Sequence, residues 1–210
     1  LLGGELLNTS GLYVSAMMEV KSSYGVIVAA PTAGSCGALP GSLLAAGKIL
    51  NKSTQEIAKA MLASAVLGIF ISEHSSFAAE VGGCQAECGA GSSMAAAGLV
   101  TLAGGNLQQC ITAASLALQN SLGMICDPIG NRVEAPCLGR NVMAASNALS
   151  CANMALANYD PVVTYDEVVD TMYKVGCSIS HELRCTALGG LSITDSAKKI
   201  EAQLLKFKCC

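Results

Sequence analysis

Helical periodicity written in small residues constrains this chain more than any other feature. SSMAAAGLVTLAGG (92–105), NLQQCITAASLALQNSLG (106–123) and RNVMAASNALSCANMALANY (140–159) consist largely of Ala, Ser and Gly with scattered larger apolar residues. Such runs predict helices that approach one another closely. Their ends are marked as well. Gly104 and Gly105 stop the first, Asn106 can open the second, and Pro161 follows the third. NKSTQEIAKAMLASAVLGIF (51–70) opens with Ser53 and Glu56 at capping-box spacing, and TYDEVVDTMYKVG (164–176) repeats that signal with Thr164 and Glu167. In the latter, Val168, Met172 and Val175 fall on one face. TDSAKKIEAQLLKFK (194–208) reads as an amphipathic helix with Ile200, Leu204 and Phe207 inward. GVIVAAP (25–31) is the one β-branched run, and helix or extended chain explains it equally. The expected fold is all-α: a single compact helical domain over residues 1–210.

Composition supports a core packed by small residues. The chain is 52% hydrophobic but only 4% aromatic, with no Trp. A net charge of −3, with no Lys/Arg cluster among aromatics, gives no face for nucleic acid. Mean hydropathy of +0.50 raises the question of a membrane. The best candidate, AMLASAVLGIFI (60–71), is shorter than the ~20 residues a span needs and reads as a buried helix, so no membrane association is expected. No secretory pattern opens the sequence. Eleven cysteines, an odd number in a chain well over 100 residues, point to a reduced, cytoplasmic setting. Most should be small buried hydrophobes, as the surroundings of Cys110 and Cys151 suggest.

Three segments break the helical pattern: APTAGSCGALPG (30–41), AEVGGCQAECGAGSS (79–93) and CDPIGNRVEAPCLGRN (126–141). Each is rich in Gly or Pro, carries Cys and precedes a helix. The three are therefore able to converge at helix N-termini. Their thiols leave several readings open. Structural zinc usually takes two tight Cys pairs, or Cys with His. Here Cys84 and Cys88 form one close pair, while His74 and His181 stand at no finger spacing. An iron–sulfur cluster tolerates thiolates from separate loops, and three of them leave one iron open as a Lewis acid. Buried, unligated thiols are the third reading.

APTAGSCGALPG, GGCQAECG (82–89), CDPIGNRVEAPCLGRN and ELRCTALGGLS (182–192) stand in an order and spacing that resembles the iron–sulfur-dependent L-serine dehydratase (L-serine ammonia-lyase) family, alpha subunit or catalytic domain. The resemblance runs from about residue 25 to 198. It implies a 4Fe–4S cluster on Cys84, Cys126 and Cys137, with the fourth iron left for the hydroxyl of L-serine. It implies elimination of water to an aminoacrylate, which tautomerises and hydrolyses to pyruvate and ammonia. A beta subunit or regulatory domain, and a homo-oligomer, are also implied. The family's further N-terminal helical stretch is not visible, so a chain beginning at Leu1 is expected to be a fragment or to act with a partner.

Elimination also needs an anchor for the substrate carboxylate and a base at Cα. The backbone of Thr32–Gly37 would serve as an anion-binding turn, which places Thr32, Gly34, Ser35, Cys36 and Gly37 at the substrate. Arg140 and Asn141 follow the third loop closely enough to reach a carboxylate, and Arg suits bidentate binding. His74 and His181 are the candidate bases, although a lone His is more often structural. Cys209 or Cys210 would close the open iron as an inhibitory tail, unless the end is simply frayed. Pyridoxal phosphate is not expected, because Lys48 in AAGKIL lies beside no phosphate-binding loop. The competing class is a non-catalytic helical subunit with structural or zinc-binding thiols.

Overall fold

One helix is buried on every side, and the others are arranged around it. The computed structural model describes residues 4–130, 132 and 135–207. In chain order its helices are α1 (Glu5–Ser22), α2 (Ala38–Ile49), α3 (Thr54–His74), the single turn α4 (Ala79–Gly82), α5 (Ala90–Leu102), α6 (Leu107–Gln119), α7 (Cys137–Leu156), α8 (Tyr165–Ser178) and α9 (Asp195–Phe207). A π-helical turn, Gln85–Gly89, runs directly into α5. Among the described residues there is no strand, only the isolated bridges Cys126–Arg184 and Ile129–Arg132. The all-α expectation holds.

Every residue of α5 from Ala90 to Val100 is buried. It packs against α2, α3, α6 and α7. Small side chains make that possible, since a helix apolar all round must find neighbours on all faces. Polar groups carried into the core are satisfied across helices. Ser92 Oγ donates to the Ala144 carbonyl at 2.8 Å and Ser93 Oγ to that of Ala114 at 2.9 Å. Asn147 Nδ2 donates to Ser92 Oγ and to the Ala117 carbonyl, both at 2.9 Å.

The helix starts follow the local signals. Reciprocal capping boxes form at Ser53/Glu56 and Thr164/Glu167, and a further one at Asn106/Gln109. Thr194 Oγ1 accepts from the Ala197 amide at the head of α9. On α8, Val168 and Met172 are buried, and Val175 is half-buried.

Two expectations are corrected. The apolar run 60–71 is not a buried helix. α3 buries one stripe, Ala60, Ser64, Leu67, Gly68 and Ile71, while Leu62, Val66, Ile69 and Phe70 are exposed on its outer side. It lies on the outside of α5 rather than between layers, so only one face meets the core. It is also the one described helix long and apolar enough to cross a membrane. On α9, Ile200 is exposed and Leu204 half-buried, with Ala197 as its buried residue. The side chain of Phe207 lies outside the described residues. GVIVAAP forms neither helix nor strand, with Val26 and Val28 exposed.

Candidate active site

The three cysteine-bearing loops meet at the starts of α2, α5 and α7, and Asn141 ties them together. From the first turns of α7 its Oδ1 accepts from the amides of Gly37 and Ala38 at 3.3 and 3.2 Å. Its Nδ2 donates to the carbonyls of Gly34 and Cys137 at 2.9 and 3.0 Å and faces Cys88 Sγ at 3.6 Å. Fully buried and occupied at both ends, Asn141 fixes the first loop onto the third. This corrects its expected place as a substrate contact. It equally removes the Gly37 amide from the anion-binding turn.

Cys84, Cys126 and Cys137 are all buried. Cys84 is the hub. Its pKa is held far below the ordinary thiol value by hydrogen bonds from Cys126, then Cys137 and Cys88, with Arg140 assisting against burial. Cys126 and Cys137 are pushed up, first by donating to Cys84 and second by burial. Cys84 thus gathers thiols of two loops, its neighbour Cys88 on the second and Cys126 and Cys137 on the third. Among the described residues, no three of His, Cys, Asp and Glu are gathered tightly enough to hold a single metal ion. A cluster is wide enough to be gripped from several sides. Softness of the donors and their approach from separate loops fit an iron–sulfur cluster on Cys84, Cys126 and Cys137.

The electrostatic frame of these thiols is an ion pair. Arg140 Nη2 donates to Asp127 Oδ1 at 2.6 Å, and Nη1 donates to Cys84 Sγ at 3.5 Å. Arg140, expected at a substrate carboxylate, therefore already has an internal carboxylate partner. Asp127 Oδ2 accepts from the Leu191 amide at 2.7 Å, and Ser192 Oγ donates to the Pro128 carbonyl at 2.8 Å. The segment 182–192 is drawn over the third loop by these contacts. It also pairs with Cys126, whose amide donates to the Leu183 carbonyl and whose carbonyl accepts from the Cys185 amide, both at 2.8 Å. That places the Cys185 thiol against Cys84 and Cys126.

The first loop supplies the opposite wall. Thr32 Oγ1 accepts from the Ser35 amide and donates to Glu87 Oε1, both at 3.1 Å. Gly34 lies against the same carboxyl, where an added Cβ would stand 2.5 Å from Oε2. Burial is the main reason Glu87 is pushed up to about 7, with the Cys84 charge second. Ser35 Oγ is buried with no hydrogen-bond partner among the described residues. Cys36 instead packs against Met18, donating to its Sδ at 3.7 Å, and burial raises its pKa.

The histidines stand differently. His74, at the end of α3, lines a depression of about 250 Å³ with Phe70, Asp166, Val169 and Asp170, and no cysteine borders it. His181 is exposed on a short 3₁₀ turn after α8, its carbonyl accepting from Thr186 Oγ1 and the Arg184 amide. Among the described residues, neither imidazole is hydrogen-bonded to a thiol of the site. Cys209 and Cys210 lie outside the described residues. Glu87, Asp127 and Cys185 were not singled out in the sequence. A signal existed for two of them. An acid inside CQAEC and another inside CDP both sit next to thiols in glycine- or proline-rich loops.

An all-α fold whose Gly/Pro-rich loops carry buried thiols, an ion pair and a carboxyl of raised pKa to one place defines a loop-built catalytic class rather than a packing module. The comparisons narrow the class. The family model described as "Serine dehydratase alpha chain" matches residues 1–192. The L-serine dehydratase alpha chain of Peptoniphilus asaccharolyticus is 43% identical over 203 residues, covering 97% of this chain and 70% of that one. The probable L-serine dehydratase alpha chain of Bacillus subtilis is 39% identical over 203 residues, covering 97% and 68%. The L-serine dehydratase of Helicobacter pylori is 40% identical over 192 residues, covering 90% of this chain but 42% of the relative. The chain belongs to the serine dehydratase alpha chain family.

Proposed function

We propose that this chain is the catalytic part of an L-serine ammonia-lyase, removing water from L-serine to give pyruvate and ammonia, with Cys84, Cys126 and Cys137 as ligands of a 4Fe–4S cluster. The observation that carries the reading is the meeting of three buried thiols, Cys84 of the second loop with Cys126 and Cys137 of the third. When bound, the cluster would supply a Lewis-acidic iron for the substrate hydroxyl. The protein's own residues do the rest. Asp127 and Arg140 hold the charge of the thiol group and close segment 182–192 over it. Asn141 sets the first loop against the third. Ser35, with the Gly34 backbone, is the remaining part of the first loop for the substrate carboxylate. His74 and His181 keep the base role only if substrate binding brings one of them to the thiols.

The "alpha chain" names of two relatives, and the greater length of the Helicobacter pylori relative, support a beta chain or additional domain as partner of residues 1–210. The test is anaerobic reconstitution with iron and sulfide, followed by a visible spectrum and serine-dependent pyruvate release. Iron–sulfur charge-transfer absorbance together with pyruvate is expected, both lost in Cys126→Ala. A folded protein that takes up no cluster under these conditions would sink the reading.

A further inference from the structure

We propose that Glu87 is the carboxyl that takes the Cα proton of the substrate, an inference that rests on the serine dehydratase reading above. Residues 82–90 are buried except for Glu87, which alone in that stretch is partly open. It sits on the π turn Gln85–Gly89, between Cys84 and the start of α5. π turns inside helices recur at functional sites because the extra residue re-aims a side chain. Here the turn sends one carboxyl out of the cluster loop toward the first loop.

Its hydrogen bonding has a fixed direction. The Thr32 hydroxyl accepts the Ser35 amide proton, so its own proton is donated to Glu87 Oε1. That arrangement holds Oε1 as an acceptor and fixes the plane of the carboxyl. Oε2 then faces Gly34, where an added Cβ would stand 2.5 Å from it. A base must be within reach of the proton and have a strength near the working pH. Glu87 lies between the loop assigned to the substrate carboxylate and the loop carrying Cys84, and burial moves it toward neutrality. The charged and titratable groups acting on it are Cys84, Glu80 and Lys21, and its own charge is felt at Cys88, Cys137 and Cys185.

The step balances without a change of oxidation state. The Glu87 carboxylate takes the Cα proton and becomes a carboxylic acid. The C–H electron pair becomes the Cα–Cβ double bond. The Cβ–O bond breaks with its pair on oxygen, which leaves as hydroxide and is neutralised to water by one proton. Glu87 returns its proton in the same turnover, so 2-aminoacrylate and water are the net products. Tautomerisation to the imine and hydrolysis by water then give pyruvate and ammonia.

The experiment uses the full chain, reconstituted anaerobically, as wild type, Glu87→Gln and Glu87→Asp. Exchange of the L-serine Cα hydrogen with D₂O and pyruvate release are followed together, with the visible spectrum and serine binding by calorimetry as controls. Glu87→Gln should load its cluster and bind L-serine yet lose both exchange and pyruvate at least about 100-fold. Glu87→Asp should recover part of the exchange, and the acidic limb of the wild-type kcat/KM profile should disappear in Glu87→Gln. Exchange in Glu87→Gln at the wild-type rate overturns the base assignment while leaving the lyase reading intact. Wild type that loads a cluster but neither exchanges nor releases pyruvate even with a relative's beta chain added overturns both. Should Glu87→Gln fail to fold, ¹³C NMR titration of the glutamate carboxyls in cluster-free wild type decides. A buried carboxyl titrating near 7, displaced in Thr32→Val, supports the proposal, and its absence overturns it.

Discussion

Arg140 and Asp127 form a 2.6 Å ion pair whose carboxylate is almost fully buried, at 2% side-chain exposure against 16% for the guanidinium. Asp127 also receives the Leu191 amide, so one carboxylate ties α7 and the segment 182–192 to the third loop. Removing it leaves a buried guanidinium without its counter-charge. Asp127→Ala should therefore cost about 3–5 kcal/mol in urea unfolding of the cluster-free protein. Arg140→Lys should cost less, because a charge remains, although a Lys cannot serve Asp127 and Cys84 with one planar fork. Thiol-reagent labelling should become faster at Cys126 in Asp127→Ala, reporting the loosened cover.

Gly83 sets the angle at which Cys84 leaves α4. Its backbone lies at φ 72° and ψ −174°, a region open essentially only to glycine, and an added Cβ would stand 2.6 Å from the Met124 carbonyl. Gly83→Ala should destabilise by about 2–5 kcal/mol, joining about 1–3 for the backbone to a similar amount for the clash. Gly139 is the contrast. It is exposed in the first turn of α7, with nothing within 4 Å of an added Cβ. Gly139→Ala should stabilise by up to about 1 kcal/mol through helix propensity alone. Thermal or urea unfolding of the two variants checks the pair.

The thiols sort by what surrounds them. Cys126→Ala, Cys84→Ala and Cys137→Ala should each abolish the iron–sulfur absorbance after reconstitution, because three thiolates are the minimum that holds the cluster while one iron stays open. Cys36→Ser should retain about four irons per chain, since Cys36 is committed to packing against Met18. Cys185→Ala is the sharper case. Its thiol lies beside Cys84 and Cys126. Retention of iron in that variant assigns Cys185 to the wall, whereas loss of iron makes it a ligand and displaces one of the three. Iron and sulfide content per folded chain is the measurement.

Helices were legible where a local signal sufficed. Ser53/Glu56 and Thr164/Glu167 announce their own starts, and the glycines at 104 and 105 end α5. The loops were legible as exceptions to that pattern. What could not be read is what depends on distant partners. Asn141 looked available for a substrate because nothing near it in sequence shows that its Oδ1 would be taken by Gly37 and Ala38, more than 100 positions away. Glu87 was hidden by the opposite effect. CQAECGAGSS reads as a cysteine-bearing loop before a helix, and the π turn that turns its carboxyl toward Thr32 has no periodicity of its own. The exposure of α3 was missed because apolar content does not distinguish a helix between layers from one lying outside them.

Glu87 should also be visible in the pH dependence of stability. Its folded pKa of about 7 lies above the ordinary 4.5. Between those values the folded chain holds a proton that the unfolded chain has lost. Raising the pH through that window therefore destabilises the fold. The favourable contribution is complete below about 4.5 and is lost as pH rises through about 7, amounting to about 3.4 kcal/mol at most for a shift of this size. Cluster-free wild type and Glu87→Gln should accordingly diverge in urea unfolding between pH 5 and pH 8, with Glu87→Gln lacking this fall. Parallel curves for the two proteins would place Glu87 at an ordinary carboxylate pKa and remove the electrostatic basis for its activity near neutrality. A steeper fall in Glu87→Gln would mean that the carboxylate, once formed, is stabilised by Lys21 and Thr32 more than burial opposes it.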